Sequence, residues 1–538
     1  MSDNEVKITI YDPSMAEKAA EMFNAFNELW PGGFGGGVPY TESRVHDWLD
    51  KTSALADLIA IDSDGVLAGY CGVYPHWRDK KAAYISILGV TPKVKGKKIG
   101  KKLLLKALEV AKEKGITRVD LHTWSGNLDA VPLYKKIGLF WVPGTTVYMQ
   151  DFIPGLLQNP LAKEWFDKHP DWYSNFQRKL IQAPDEEIID NMEIYQYHFE
   201  KDNDILLAEV DRYGWEFCAL ERILDGKKFA LKTRVNSHKI HIGIPNSLTI
   251  TIYSDYDVNE AFINVQGFEG LHWLEEFPKK VTLKKGEIQT ITREFIVDKN
   301  TKTFRDNDQY CEKITSTITI DKKDYKLQTS GKIQPAVKLR GITTNRFVTL
   351  PVGKDVSLSF DLINNTQEKL TGKLVVTIDG INNFKEIINY ELEPEALSGI
   401  GVSLNLPSNT NKKKFCLQIV PFIKHNNAEL EMPVFDYYLL PKSTTLMEVI
   451  EIKEEKRLYL ITDKLVARVQ MEGGNIRLIH GENGASIPLN HASGPPYGIS
   501  LDSTTLLDYQ VKRDEHEITL ILSMNSLQVP GLNVKKIG

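Results

Sequence analysis

Apolar side chains recur at two different periods along this chain, and the change of period divides it. Over residues 14–30 (SMAEKAAEMFNAFNELW), Met15, Ala19, Met22, Phe23, Phe26 and Trp30 fall three or four apart, the spacing of one helix face. Residues 56–62 (ADLIAID) and 66–74 (VLAGYCGVY) read as strands around the turn Ser63-Asp64-Gly65. Another strand is expected at 82–91 (AAYISILGVT). Over 99–114, Ile99, Leu103, Leu104, Ala107, Leu108 and Ala111 predict a helix that Gly115 ends. A strand at 117–123 (TRVDLHT), a short helix at 129–137 and further strand at 139–150 follow. Asp129 is placed to cap the short helix, with Pro132 in its first turn, where a missing N–H costs little. Strands alternating with helices predict layered α/β structure.

Beyond residue 150 the rhythm is different. Pro154, Pro160, Pro170 and Pro184 punctuate 151–193, while Trp165, Phe166, Trp172, Phe176 and Leu180 give that stretch an apolar stripe suited to packing on a neighbour. Residues 194–223 read as strand, turn and strand. From about 228 the alternation has period two. Strands are expected at 247–254, 260–266, 288–296 and 313–321, then at 355–363, 371–379, 399–406 and 415–421. Each set has the size and rhythm of an immunoglobulin-like β-sandwich. Residues 457–538 begin with another alternating run and a Gly473-Gly474 bend, faintly resembling the first strands of galactose-mutarotase-like sandwiches. The expected organisation is multidomain: an α/β domain at 5–150, a bridging helical and hairpin segment at 151–227, β-sandwiches at 228–337 and 338–441, and a β-rich segment at 442–538. The close at Val534-Lys-Lys-Ile-Gly538 has no finishing pattern, which reads as a piece of a longer protein.

Length agrees with several cores, since 538 residues exceed what one core holds. The net charge of −5 gives the whole chain no nucleic-acid footprint. No apolar run is long enough to span a bilayer, and the acidic start (Asp3, Glu5, Asp12, Glu17, Glu21) does not read as a secretory signal. Cys71, Cys218, Cys311 and Cys416 are too dispersed for a zinc site or a disulfide framework, so reduced core thiols in a cytoplasmic protein are expected. His238 and His241 flank Lys239-Ile240 without further ligands, and no metal is expected.

Charge is uneven within this balance. Lys93, Lys95, Lys97, Lys98, Lys101 and Lys102 fall within ten residues, between the strand that ends at Val90 and the helix that starts near Gly100. A strand, a short basic loop holding Gly96, and a helix start suit a pyrophosphate. Helix N-terminal amides point at an anion, glycine lets backbone approach, and lysines add a positive field. Neither a Walker A loop nor a dinucleotide G-x-G-x-x-G is present. A solvated lysine face is the plain alternative.

A second stretch, Asn127-x-x-Ala130-x-x-Leu133-Tyr134-x-Lys136-x-Gly138, follows one helix and one strand later. The ordered pair, with Val90, Pro92 and Gly100 in the first stretch, resembles the GNAT superfamily of acetyl-CoA-dependent N-acyltransferases over residues 5–150. The sequence departs from the family pattern in places. Lys95 takes the usual Gln/Arg place, Lys98 replaces a motif glycine, and Leu139 precedes Phe140. The resemblance implies a mixed central sheet flanked by helices, with a primary amine of a small molecule or protein attacking the acetyl-CoA thioester directly. It implies a cofactor site made by Leu88, Val90, Lys95, Gly96, Lys97, Lys98, Ile99, Gly100, Lys101 and Asn127. The backbone N–H near Val90 would polarise the carbonyl, and Tyr134 would protonate the departing thiolate. The base is not readable. His122 is the nearest titratable candidate, Asp120 shares its strand face, and Glu42 is a weaker choice. By the same resemblance, acceptor specificity belongs to the glycine-rich loop 30–40, whose Trp30, Phe34 and Tyr40 are candidate walls of a pocket. The alternative is a catalytically weak GNAT-fold binding protein whose β-sandwiches recognise a protein or carbohydrate partner.

Overall fold

Seven strands at the N-terminal end form one mixed sheet in the order β1-β2-β3-β4-β5-β7-β6. They are β1 (Lys7–Ile10), β2 (Ala56–Ile61), β3 (Leu67–Pro75), β4 (Ala82–Val90), β5 (Arg118–His122), β6 (Phe140–Trp141) and β7 (Tyr148–Asp151). The structure is a computed structural model. It describes residues 6–537 except 31–32, 95, 125, 128–129, 257, 259, 305–309, 342–345, 382–383, 426–427, 443–447, 453–456, 463–464, 472–475, 481–485, 490–503, 514–517 and 527–532. Neighbouring strands are antiparallel except β4 and β5, which run parallel.

Helices cover both faces. On one face lie α1 (Ala16–Ala25) and α2 (Glu42–Leu49), whose Phe23 and Val45 share a core with Ile59 and Tyr70 of the sheet. On the other lies α3 (Ile99–Glu113), with Ile99 and Leu103 against Gly69 of β3. The apolar positions spaced along α3 are all buried, which is why this segment winds as a helix on the sheet. Gly115, at φ 70°, ends it in the left-handed conformation that glycine enters without penalty. The short helix α4 (Val131–Ile137) starts later than the spacing predicted. Its N-cap is Ala130, Pro132 sits in the first turn, and the expected cap Asp129 lies outside the described residues. The strand expected at 139–150 is two strands, β6 and β7. Between them the Thr145 hydroxyl bridges the Val142 carbonyl and the Tyr148 amide.

Helices Ile153–Leu156, Pro160–Lys168 and Trp172–Asn175 follow, and Trp165 and Phe166 pack on Phe199. Leu180, expected in the same apolar stripe, is instead 48% exposed. The next sheet has nine strands. In space it runs Leu271–Trp273, Ile288–Val297, Asn246–Ser254, Lys227–Val235, Glu216–Leu224, Asp204–Asp211, Met192–Lys201 and Phe176–Gln177, with Ile188–Ile189 beside Met192–Lys201. The expected boundary at 227/228 falls beside the hairpin turn of this sheet. Asp225 and Gly226, at φ 52° and 72°, make the two-residue turn whose twist suits adjacent strands. The expected strands 260–266 and 313–321 belong to a separate four-stranded sheet.

Residues up to 240, with 246–295 and 305–332, make one compact unit; 241–245, 296–304 and 333–538 make the second. In the second unit a three-stranded sheet (Val337–Gly341, Asp355–Asn364, Leu397–Asn405) and a six-stranded one containing Leu370–Ile378 and Phe415–His425 share a core. Leu362 and Val402 of the first sheet are buried with Leu374, Leu417 and Ile419 of the second, so the sheets pack as two layers. No helix among the described residues is long and apolar enough to cross a membrane.

Candidate active site

β4 pairs with β3 as far as Val90 but with β5 only over Ala82–Ile85. The register against β3 shifts between Gly72 and Val73, leaving Ser86 as an extra residue in β4. Such a bulge bends and re-aims a strand. Beyond it β5 no longer accompanies β4, and a gap opens in the sheet beside the main chain of Ser86–Val90. Unpaired strand edge of this kind is available to an extended ligand.

The basic loop closes one end of this gap. After a turn at Pro92–Val94, Gly96 has φ 90° with open space where a Cβ would stand. Lys98 is the N-cap of α3 at φ 59° and ψ 20°, and its side chain makes no capping hydrogen bond. The first amides of a helix have no intrahelical acceptor. Lys97 and Lys98 are exposed at this helix start, and Lys95 lies outside the described residues. A Cβ on Gly100 would come within 3.2 Å of Leu133 and 3.7 Å of Val90, so a small residue lets α3, α4 and β4 converge. Lys101 is drawn aside, its ammonium 3.5 Å from the centre of the Tyr173 ring. Burial and the nearby charges of Lys98 and Arg178 lower its pKa. Asn127 donates from Nδ2 to the Thr123 hydroxyl (2.8 Å), and its carbonyl accepts from Ala130 N–H.

The two catalytic candidates stand on opposite faces of the sheet. Leu88 is opposite Cys71, and Val90 is opposite Gly69, on the α3 face. Tyr134 of α4 lies on this side near Cys71, 6% exposed, and burial raises its phenol well above the ordinary value, so it holds its proton. On the α1 face, Tyr84 sits opposite Asp120, and His122 follows two residues on with its side chain exposed. Asp120 is fully buried and already engaged. It accepts from Arg118 Nε (2.8 Å) and from the Tyr148 hydroxyl (2.6 Å). Arg118 also binds Asp79. That network makes Asp120 part of the floor rather than a base. Glu42 is exposed on α2, 3.8 Å from His46.

Among the described residues of the glycine-rich loop, Phe34 and Tyr40 are packed while 36–39 are exposed. Phe34 stacks on Phe23 (5.7 Å) and Tyr40 (5.5 Å), and the Tyr40 backbone is held at both N–H and C=O by Asn24. Phe26 lies so close to Gly89 that a Cβ there would clash with its ring. Trp30 reaches across to Trp124, 6.1 Å between ring centres. Trp124, Tyr84, His76, Trp77 and Tyr148 on this face escaped the sequence reading. Period-two alternation over 117–123 puts Asp120 and His122 on one strand face, but only the register places Tyr84 beside them. His76 and Trp77 follow β3, and only the fold brings them to Tyr148 and Tyr84. His238, singled out in the sequence, is a buried structural residue: Nδ1 accepts from Glu193 N–H (2.7 Å) and Nε2 faces Asp211 (3.2 Å).

Residues 19–139 match the family model described as Acetyltransferase (GNAT) family. The chain is 35% identical over 102 residues to the putative [ribosomal protein bS18]-alanine N-acetyltransferase of Bacillus subtilis (strain 168), covering 19% of this chain and 64% of that protein. It is 32% identical over 97 residues to the mycothiol acetyltransferase of Arthrobacter sp. (strain FB24), covering 18% of this chain and 29% of that one. The match thus spans less than two thirds of these curated relatives. Among solved structures, the PaiA N-acetyltransferase of Thermoplasma acidophilum in complex with coenzyme A aligns at 21% identity. It covers 28% of this chain and 99% of its own, with a TM-score of 0.23.

Proposed function

Residues 19–139 being a GNAT acetyltransferase domain, we propose that the region 5–150 is an N-acyltransferase that moves an acetyl group from acetyl-CoA to a primary amine. The observation that carries this reading is the gap between β4 and β5, opening beside the amide-rich start of α3, with Tyr134 on one face and His122 on the other. The residues present fit the donor: Gly96 leaves open space at the loop, and Gly100 permits the close meeting of strand and helices. Acetyl-CoA supplies an activated acyl group with a thiolate as leaving group. Loop amides with Lys97 and Lys98 would hold its pyrophosphate, and the β4 edge near Val90 that β5 leaves unpaired would offer an N–H to the thioester carbonyl oxygen.

The amine then approaches from the α1 face. The imidazole of His122 removes its proton, and Tyr134, on the thiol side, returns one to sulfur. A buried phenol is a weak acid, and its proton moves only as the thiolate forms beside it. The test is thiol release from acetyl-CoA with a panel of primary amines, alongside calorimetry with CoA at low and high salt. Thiol release that needs both acetyl-CoA and an amine, and CoA binding that weakens with salt, are expected. Saturating CoA that gives neither heat nor a thermal shift would refute the reading.

A further inference from the structure

Two tryptophans on the α1 face of the gap are unusually open for their size: Trp77 is 46% exposed and Trp124 37%. Trp77 packs edge-on against Tyr84 (4.9 Å), the β4 residue opposite Asp120 where the strands part. Trp124 lies two residues beyond His122 and faces Trp30 from the other side. The exposed His122 shares this face with Tyr84, and Trp124 follows it two residues on in the chain. The buried carboxylates of this face are spent on protein partners. Asp120 is held by Arg118 and Tyr148, and Asp57 accepts from Tyr70 (2.6 Å) and Thr52 (3.2 Å).

Resting on the acyltransferase reading, we propose that this face selects a primary monoamine borne on an aromatic or apolar skeleton. Such a molecule covers Trp77 and Trp124 with its apolar part, while its single ammonium is tolerated by the indole faces until it loses its proton. A polyamine would lose hydration around each further charge without gaining a carboxylate partner from Asp57 or Asp120. The skeleton is that of a free aromatic amine or of the first residue of a peptide, and the two sources present the same chemistry to the walls.

The experiment uses the full chain with acetyl-CoA and compares phenethylamine, phenylalanyl-alanine amide and spermidine by thiol release. Phenethylamine or the dipeptide is expected to exceed spermidine in kcat/KM by at least about tenfold, and the better of the two identifies the source. Trp124→Ala and Trp77→Ala are expected to narrow that ratio severalfold while leaving the KM for acetyl-CoA unchanged. Equal or better turnover of spermidine, or a ratio indifferent to both variants, overturns the proposal. Phenethylamine binding, read by quenching of tryptophan fluorescence, separates the two readings. Binding that both variants weaken, without thiol release from any amine, supports the pocket and refutes the acyltransferase. No binding and no turnover refutes the pocket as well.

Discussion

Replacing Lys98 by glycine tests the loop at its most unusual residue. Lys98 holds φ 59° and ψ 20° at the start of α3, a left-handed conformation that costs a residue with a Cβ about 1–2 kcal/mol. Glycine removes that cost but adds about 0.4–1 kcal/mol of unfolded-chain entropy. The balance is a stabilisation of between zero and about 1.5 kcal/mol, read as a raised urea midpoint with an unchanged slope. The side chain is exposed and makes no capping bond, so no packing is lost. Cofactor binding should respond in the opposite sense. One exposed ammonium near a pyrophosphate contributes on the order of 1 kcal/mol at most, so CoA affinity should fall by no more than about fivefold at low salt. The difference should vanish at high salt, where exposed charges are screened. Calorimetry at two salt concentrations measures this. A destabilised variant would contradict the backbone argument. Tighter CoA binding would mean that the side chain obstructs the loop, and affinity unchanged at low salt would remove Lys98 from the site.

Tyr134→Phe keeps the buried ring and deletes the hydroxyl. Turnover should fall by about 10²–10⁴ with CoA affinity nearly unchanged, and a parent-like rate would exclude Tyr134 as the acid. Lys135 is 4% exposed and reaches the Asp185 carboxylate at 2.9 Å, so Lys135→Ala should cost about 3 kcal/mol in a urea melt; a loss below about 1 kcal/mol would show that the junction relaxes easily. Asp151 is fully buried, and burial raises its carboxyl to about 8, far above the unfolded value of 3.8. The folded state keeps that proton while the unfolded state releases it, so this group's contribution is complete below pH 4 and is lost as pH rises towards 8. Asp151→Asn should therefore stabilise by a few kcal/mol at pH 8 and by little at pH 4; a gain independent of pH would refute the assignment.

What the sequence made legible was whatever a local period encodes. The stripe from Ile99 to Ala111 placed α3 to within a residue or two, and the alternation from 247 to 421 placed eight strands, because a half-buried strand or helix writes its burial into its own spacing. The loop from Pro92 to Gly100 was legible for the same reason. The gap between β4 and β5 was not, since a strand that loses its neighbour after Ile85 has the same alternation as one that keeps it. Nor could the spacing show that the Lys101 ammonium stands against the ring of Tyr173, seventy-odd residues away in sequence. Five glycines around Phe34 gave no sign that its ring packs among Phe23, Phe26 and Tyr40, since those partners are set by the fold. Asp120 was readable as a candidate base only while its partner Arg118 was unknown.

The packing around α4 does not end where the family match ends. Behind α4, the Tyr197 hydroxyl donates to the Gly138 carbonyl at 3.1 Å, and Tyr195 stacks on Phe140 at 4.6 Å with the planes 6° apart. Lys135, next to Tyr134 in the chain, is bound to Asp185 and to the Ala183 carbonyl. All of these partners come from residues beyond 151. A short helix of seven residues has little stability of its own, so packing and these contacts set where it lies. Since α4 carries Tyr134 and sets Leu133 against Gly100, the position of the proposed acid and the shape of the loop both depend on the nine-stranded sheet and the segment leading into it. The α1 face is tied to the same sheet, because Arg118, which binds Asp120, lies 4.2 Å from the Trp215 ring centre. The chemistry proposed for residues 5–150 is thus shaped from behind by residues that the resemblance does not cover.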